Sequence, residues 1–175
     1  MEKAYEKAAK EISDKKVNTA RDVFSLLKGV YVSDENYINA FSTREINSKR
    51  KRKLVRYILF NLENQIAVKD YSYEDGKATI EHILPENSGH SWDNFFPSED
   101  QENFIYRLGN YTLLEDKPNR INGTCLYEKK VSDYKNSGYK LTSEKSIYPE
   151  WNADSLLNRQ KSLARIASTV WKCNY

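Results

Sequence analysis

Cysteine is scarce in this chain. Only Cys125 and Cys173 occur among its 175 residues, far apart and with no partners at zinc-ligand spacing. That excludes a disulfide framework and a cysteine-rich zinc knuckle, so a reducing cytoplasmic setting is expected, with both cysteines as ordinary buried thiols. Six glycines and four prolines are too few for a low-complexity or linker-dominated chain, and no internal repeat is visible. No glycine-rich loop is present to cradle a nucleotide's phosphates, so any nucleotide-driven step has to come from elsewhere. No run approaches the roughly 20 apolar residues needed to span a bilayer. The charged opening Met-Glu-Lys-Ala-Tyr-Glu-Lys has no apolar core of the signal-peptide kind. No membrane partner is expected. Histidine is also rare: His82 and His90 are the only two.

What the chain does contain is aromatic and charged. Hydrophobic residues make up 39% and aromatics 13%, with 13 Tyr, 6 Phe and 3 Trp to build a sizeable core, and 30% charged residues for a solvated surface. The length suits one domain, or a compact domain with an attached helical lobe. The net charge of +3 is unevenly spread. Residues 1–70 carry 15 Lys+Arg against 10 Asp+Glu, and residues 71–175 carry 13 against 15. A polyanion gripped by the first region while the second does chemistry fits that asymmetry.

The first seventy residues predict a helical lobe. Residues 2–13 are strong helix formers with little apolar face. Asn18 is a candidate cap for a helix to Leu27 that ends at Gly29, and Ser33 precedes an acidic helix start with Tyr37, Ile38 and Phe41 as its stripe. Asn47 to about Ala67 predicts the longest helix, with Leu54, Ile58, Leu62 and Ile66 four residues apart and Val55 and Leu59 widening the face. Beyond residue 70 the pattern changes. Asp75-Gly76 reads as a turn, and Ala78-Thr79-Ile80 as a strand leading into Glu81-His82. Residues 86–103 read as a polar loop anchored by Trp92, Phe95 and Phe96. A second strand is expected over Tyr106–Leu114, broken at Gly109-Asn110, and Pro118-Asn119-Arg120 opens a helical turn. Helices over about Thr124–Lys135 and Asp154–Lys172 complete the chain, the last with Leu156, Leu163, Ala167 and Val170 on one face. The expected class is α+β, mostly helical, with residues 1–70 as a helical lobe and 71–175 as the core that carries the chemistry.

Glu81-His82-Ile83-Leu84-Pro85, then Asn110 and Asn119, is the stretch most specific about chemistry. Hydrolysis of a phosphodiester needs a base to activate water and a hard cation to neutralise charge on phosphate. His82, with an intrinsic pKa of about 6.5, suits the base. Glu81 suits a hard Mg²⁺ or Mn²⁺, which takes oxygen donors and keeps several waters. Neighbouring strand residues point to opposite faces, so Glu81 and His82 converge only if the strand ends or bulges there, and Pro85 agrees with an ending. Each residue also has a plainer reading: His82 as a strand cap, Glu81 as a surface carboxylate, Asn119 as a turn or cap residue, Asn110 as a left-handed turn residue after Gly109. His90, in a Ser-Gly-His-Ser loop, is a bystander.

Ile80-Glu81-His82-Ile83-Leu84-Pro85, with Tyr106-Arg107-Leu108-Gly109-Asn110-Tyr111-Thr112-Leu113-Leu114 and Asn119, resembles the HNH nuclease domain at the C-terminus of GmrSD-type type IV restriction endonucleases. These belong to the wider His-Me finger, or ββα-metal, nucleases. The nine-residue spacing from Asn110 to Asn119 is also similar to the HNH domain of CRISPR effector nucleases. The resemblance covers roughly residues 33–172, including the Arg56-Tyr57-Ile58-Leu59 helix and the segment with Trp151 and Arg159. It implies a small ββα-metal core packed among helices and a metal-dependent DNA endonuclease of a restriction or anti-phage defence system. By the same resemblance His82 is the base, Glu81 and Asn119 hold Mg²⁺ or Mn²⁺, and Asn110 belongs to the catalytic set by holding the His82 loop. An upstream nucleotide-hydrolysing domain or subunit is the implied partner, and double-strand cleavage by single-strand sites implies a homodimer or two events.

For DNA contact the candidates are Arg120, Lys129 and Lys130 near the motif, and Arg50, Arg52 and Arg56 in or after the run Lys49-Arg50-Lys51-Arg52-Lys53. Asn122 is a further candidate, and a solvated surface is the plainer reading for these. Five consecutive cations cover every side of a helix, so they cannot all face one groove. Two other functions fit the sequence: a non-catalytic nucleic-acid-binding module that keeps the fold, and a protein-interaction domain.

Overall fold

The computed structural model describes residues 2–74 and 76–172. Nine α-helices and one two-stranded antiparallel sheet are formed by the described residues. α1 (Glu2–Ser13) and α2 (Ala20–Leu27) pack on each other as a hairpin. α3 (Asp34–Thr43) starts at Ser33, whose side chain accepts from the Asn36 N–H, as expected for a cap. α2 is capped by Thr19 and not by Asn18, because the Thr19 hydroxyl is the group that reaches the Asp22 N–H.

α4 (Arg52–Ala67) begins five residues later than its periodicity predicts. The Asn47 side chain accepts from the N–H groups of Lys49 and Arg50, which closes a turn there and delays the helix. The buried stripe is Val55, Ile58, Leu59 and Leu62, while Leu54 is 42% exposed. The widening residues of the sequence pattern are thus the centre of the true face. The helix ends at Val68 in the left-handed region (φ 53°).

β1 (Ala78–His82) pairs with β2 (Tyr111–Glu115) in the register Ala78↔Glu115 to His82↔Tyr111. The expected strand over 106–114 is only half strand. Residues 108–110 form a 3₁₀ turn, and residues 44–46 run beside 106–108 through Ile46 N–H to Tyr106 O and an isolated Glu45↔Arg107 bridge. The stretch 86–103 carries a 3₁₀ turn at His90–Trp92 and leads into α5 (Glu102–Ile105), with Trp92 and Phe96 fully buried. Asp75 of the expected Asp75-Gly76 turn and Cys173 lie outside the described residues. Cys125 is half-buried with a free thiol, short of the burial expected.

After β2 come α6 (Asp116–Asn122), α7 (Tyr127–Asn136), α8 (Lys140–Ser143) and α9 (Ala153–Val170). One hydrophobic cluster joins Phe41, Val55, Leu59 and Leu62 to Leu113, Leu163 and Ala167, and so spans both sides of residue 70. A second gathers Ile83, Leu84, Trp92, Phe96, Tyr134 and Trp151.

Two polar side chains of α9 lock the loop before β2. The buried Arg159 donates to the carbonyls of Gly109 (2.7 Å), Tyr111 (2.8 Å) and Lys145 (2.7 Å). Gln160 accepts from the Gly109 N–H and donates to the carbonyls of Phe41 and Arg44. A Cβ at Gly109 would lie 2.7 Å from the Leu156 carbonyl oxygen and 2.7 Å from Gln160 Cβ. Gly109→Ala is expected to destabilise the domain by about 1–3 kcal/mol through this overpacking, read from the denaturant midpoint.

Candidate functional site

The site forms where β1 ends. Ile83 N–H donates to Asn110 O (3.0 Å), and Leu84 N–H donates to Asn110 Oδ1 (2.7 Å). The Asn110 amide donates in return to the carbonyls of Leu84 (2.8 Å) and Ile105 (3.0 Å). Both of its amide hydrogens and its oxygen are thus spent, and the side chain is fully buried. Asn110 lies behind the cleft and holds the chain as it leaves the strand.

Glu81 is 3% exposed. Its Oε1 accepts from the Lys130 ammonium (2.8 Å) and from the Tyr134 hydroxyl (2.7 Å), both reaching in from α7. The Lys130 ammonium also donates to the carbonyls of His82 (3.1 Å) and Ile83 (3.2 Å). Three donors meet three acceptors, and Lys130 is fully buried. Burial raises the Glu81 pKa, while Lys130 and Tyr134 pull it back. Both bonds fall on Oε1, which leaves Oε2 without a hydrogen bond to the described residues.

His82 points the other way from the strand, with 18% of its side chain exposed. Its ring meets Tyr111 edge-on, centroids 4.8 Å apart. Nε2 lies 3.1 Å from Ser48 Oγ and 3.7 Å from Glu86 Oε1. Desolvation drives its pKa down to about 4, with Lys130 and Lys49 adding to the fall and Glu86 opposing it. The imidazole is therefore neutral across the physiological range, as a proton acceptor has to be.

Asn119 sits in the middle of α6 and not at its start. Its amide nitrogen donates to Thr79 Oγ1 (2.7 Å) and Ile80 O (3.1 Å), which turns Oδ1 away from β1. Glu81, His82, Glu86 and Asn119 together line one open cleft of about 200 Å³. No cluster of three or more His, Cys, Asp or Glu capable of holding a metal exists among the described residues. Glu81 and Asn119 both line the cleft, and Glu81 Oε2 and Asn119 Oδ1 have no hydrogen-bond partner among the described residues. That set suits a hard divalent cation that keeps most of its waters.

A second cleft of about 250 Å³ opens on the other side of His82, lined by Ser48, Lys49, Arg52, Ile80 and Glu86. Through Arg52 it meets a third, which includes Lys53, Arg56, Tyr73 and Thr79. Four of the expected DNA contacts are repositioned by this geometry. Lys130 is buried and fully bonded, so it cannot meet a phosphate. Arg56 is committed to the carbonyls of Tyr73 (2.9 and 3.1 Å) and Ala78 (2.5 Å), which pin the loop before β1. Arg120 is exposed but paired with Asp116 (2.6 Å), and Asn122 is buried. Arg52 lines the basic clefts as expected, and Arg50 and Lys129 are exposed. His90 is exposed and bonded to Asp93.

Ser48, Lys49, Glu86 and Tyr134 were not among the expected site residues. Glu86, one residue past Pro85, had a visible signal in its i+4 spacing from His82. Ser48 had none, because its place beside His82 depends on the pairing of 44–46 with 106–108.

Removing the Lys130 charge strands a buried carboxylate, so Lys130→Met is expected to cost about 3–5 kcal/mol in denaturant unfolding. Glu81→Gln on that background should recover part of the loss, and additive losses would contradict the pairing. A second outcome concerns His82. The unfolded chain takes up its proton at about pH 6.5 and the folded chain only near pH 4. Stability therefore falls as pH drops through that window, by on the order of 3 kcal/mol at most, and His82→Gln should flatten this part of the pH–stability curve.

No helix of the described residues is long and apolar enough to cross a membrane. The family model for GmrSD restriction endonucleases, C-terminal domain, matches residues 31–166, and no curated protein matches the chain. The match takes in α3 through most of α9, with all the residues of the cleft, and leaves out the α1–α2 hairpin. With the site and well over half of the chain inside it, the protein belongs to the family of GmrSD restriction endonuclease C-terminal domains, a nuclease-type domain of mostly helical α+β fold.

Proposed function

We propose that the domain is a divalent-metal-dependent DNA endonuclease of the HNH type, acting in the cytoplasm on foreign or modified DNA within a defence system. The observation that carries this reading is the neutral His82 on one cleft with Glu81 Oε2 and Asn119 Oδ1. His82 takes a proton from the water that attacks phosphorus, and the 3′ oxygen leaves from the opposite side. Glu81 and Asn119 would hold Mg²⁺ or Mn²⁺, which would supply neutralisation of charge on the phosphate and on the leaving oxygen. Asn110 keeps the strand end, and with it His82, in place. Arg52 and Lys53 hold neighbouring phosphates in the basic clefts, with Arg50 and Lys129 as outer contacts. A single site of this kind cuts one strand, so double-strand cleavage takes a homodimer or two events. A nucleotide-hydrolysing domain or subunit is the proposed partner.

The buried Glu81–Lys130 pair supports a second reading, in which the carboxylate is structural and the domain binds nucleic acid without cutting it. A plasmid-nicking assay separates the two. The first reading expects nicking with Mg²⁺ or Mn²⁺, none with a chelator, and a loss of about 10²-fold or more in His82→Ala. Equal activity in wild type and His82→Ala would sink it. DNA binding measured against salt without metal gives the other half. Arg52→Ala and Lys53→Ala should each lower the log–log salt slope by about one, while His82→Ala leaves it unchanged.

A further inference from the structure

Glu86 stands where two clefts meet. It lines the basic cleft with Ser48, Lys49 and Arg52, and also the opposite cleft with Glu81 and Asn119. β1 ends at His82, so residue 86 lies outside the ladder, and its carboxylate comes back beside the imidazole. Oε2 pairs with the Lys49 ammonium at 3.2 Å, and Oε1 lies 3.7 Å from His82 Nε2. Oε1 is buried and has no hydrogen-bond partner among the described residues. The Lys49 side chain is 65% exposed, so the pair is open to water on the lysine side and weak enough to exchange.

A phosphodiester has the same outline as this carboxylate: one negative charge shared by two oxygens. Glu86 therefore puts an anion of the same kind between the Lys49 ammonium and the His82 ring. A strand laid across the basic clefts would need Lys49 and would find it taken. The backbone of Lys49 is fixed, because its N–H donates to Asn47 Oδ1 (3.0 Å), so the ammonium works from a set root. Arg52 and Lys53 line the same basic surface and form no ion pair with the described residues. Two cations there are ready for phosphates, and a third is held back by a carboxylate.

We propose that Glu86 is a specificity-determining residue that holds Lys49 in place of a phosphate and yields it to a strand already seated on Arg52 and Lys53. This rests on the reading that the basic clefts take nucleic-acid phosphates, and not on their being cut. A carboxylate tethered to the chain competes at a high effective concentration, which a lone phosphate does not match. A strand fixed by its neighbouring phosphates presents the next one with the same advantage. The exchange has a signature in salt dependence. Lys49 trades Glu86 for a phosphate and the freed carboxylate gathers a cation of its own, so no net counterion is released. Lys49 is thereby silent in the salt slope, while Arg52 and Lys53 each count for one phosphate.

Duplex DNA binding by the full chain, measured against salt with a chelator present, tests this. Lys49→Ala alone should leave the log–log slope near that of wild type. Glu86→Gln should steepen the slope by about one and tighten binding by roughly twofold to fivefold at low salt. Lys49→Ala on the Glu86→Gln background should return the slope to the wild-type value and cancel most of the gain. Glu99→Gln makes the same change of net charge at an exposed position outside these clefts, and should leave slope and affinity near wild type. At fixed ionic strength, inorganic phosphate should compete with DNA more strongly on Glu86→Gln than on wild type. The proposal is overturned, with the nucleic-acid reading intact, by a Glu86→Gln gain that survives in full without Lys49. A slope change of about one in Lys49→Ala alone, or equal competition by phosphate, overturns it in the same way. No binding by wild type or by Glu86→Gln at low salt removes both.

Discussion

One buried ammonium sets the geometry on which the site depends. Lys130 reaches from α7 to Glu81 Oε1 and to two successive carbonyls, those of His82 and Ile83. Successive carbonyls in a pleated strand point to opposite sides, so two of them meet one cation only where the pleat stops. That is the condition under which neighbouring Glu81 and His82 can serve one cleft. Asn110 fixes the same break from the other side by taking both hydrogen-bonding groups of Leu84. An unpaired ammonium at this depth would cost several kcal/mol, and the three acceptors offset that cost without leaving much surplus. The pair defines where the strand ends more than it adds to stability.

His82 then stands on a divide. On one side are oxygen donors, Glu81 and Asn119, and on the other the cations Lys49 and Arg52. Glu86 borders both clefts and ties up Lys49 at 3.2 Å. A phosphodiester placed over His82 would have electropositive groups on the side of the α4 start and ligand oxygens on the side of α6. This arrangement also explains why a basic excess in residues 1–70 serves a motif that lies in a slightly acidic region. The turn at 47–51 folds back onto the end of β1, so the charges sit beside the motif in space though far from it in sequence.

Much of this was legible in the sequence. The α4 face, the Ser33 cap, β1 and the last helix follow from periodicity and capping chemistry, and Glu81, His82 and Asn119 share a cleft. What could not be read had identifiable physical causes. Tyr106–Asn110 has the composition of a strand, but Arg159 takes the Gly109 carbonyl and Gln160 its N–H from about fifty residues away. Lys130 and Arg56 look like surface cations by type. Only the fold reveals that each is surrounded by acceptors. Arginine and lysine placed inside a helix give no local sign of whether they face water or a ring of carbonyls.

The same reasoning bears on how Glu81 divides its charge. Its Oε1 already satisfies Lys130 and Tyr134, so a cation at Oε2 would share a carboxylate whose charge is partly neutralised. Such a carboxylate binds a hard ion less tightly than a free one, and the balance of the coordination falls to Asn119, water and the phosphate itself. On the proposed nuclease reading, such a site would be weak without substrate and would take further oxygens from the phosphate. On that reading the buried lysine would couple metal binding to nucleic acid binding, with Asn119, held by its amide bonds to Thr79 and Ile80, as the fixed point of the site.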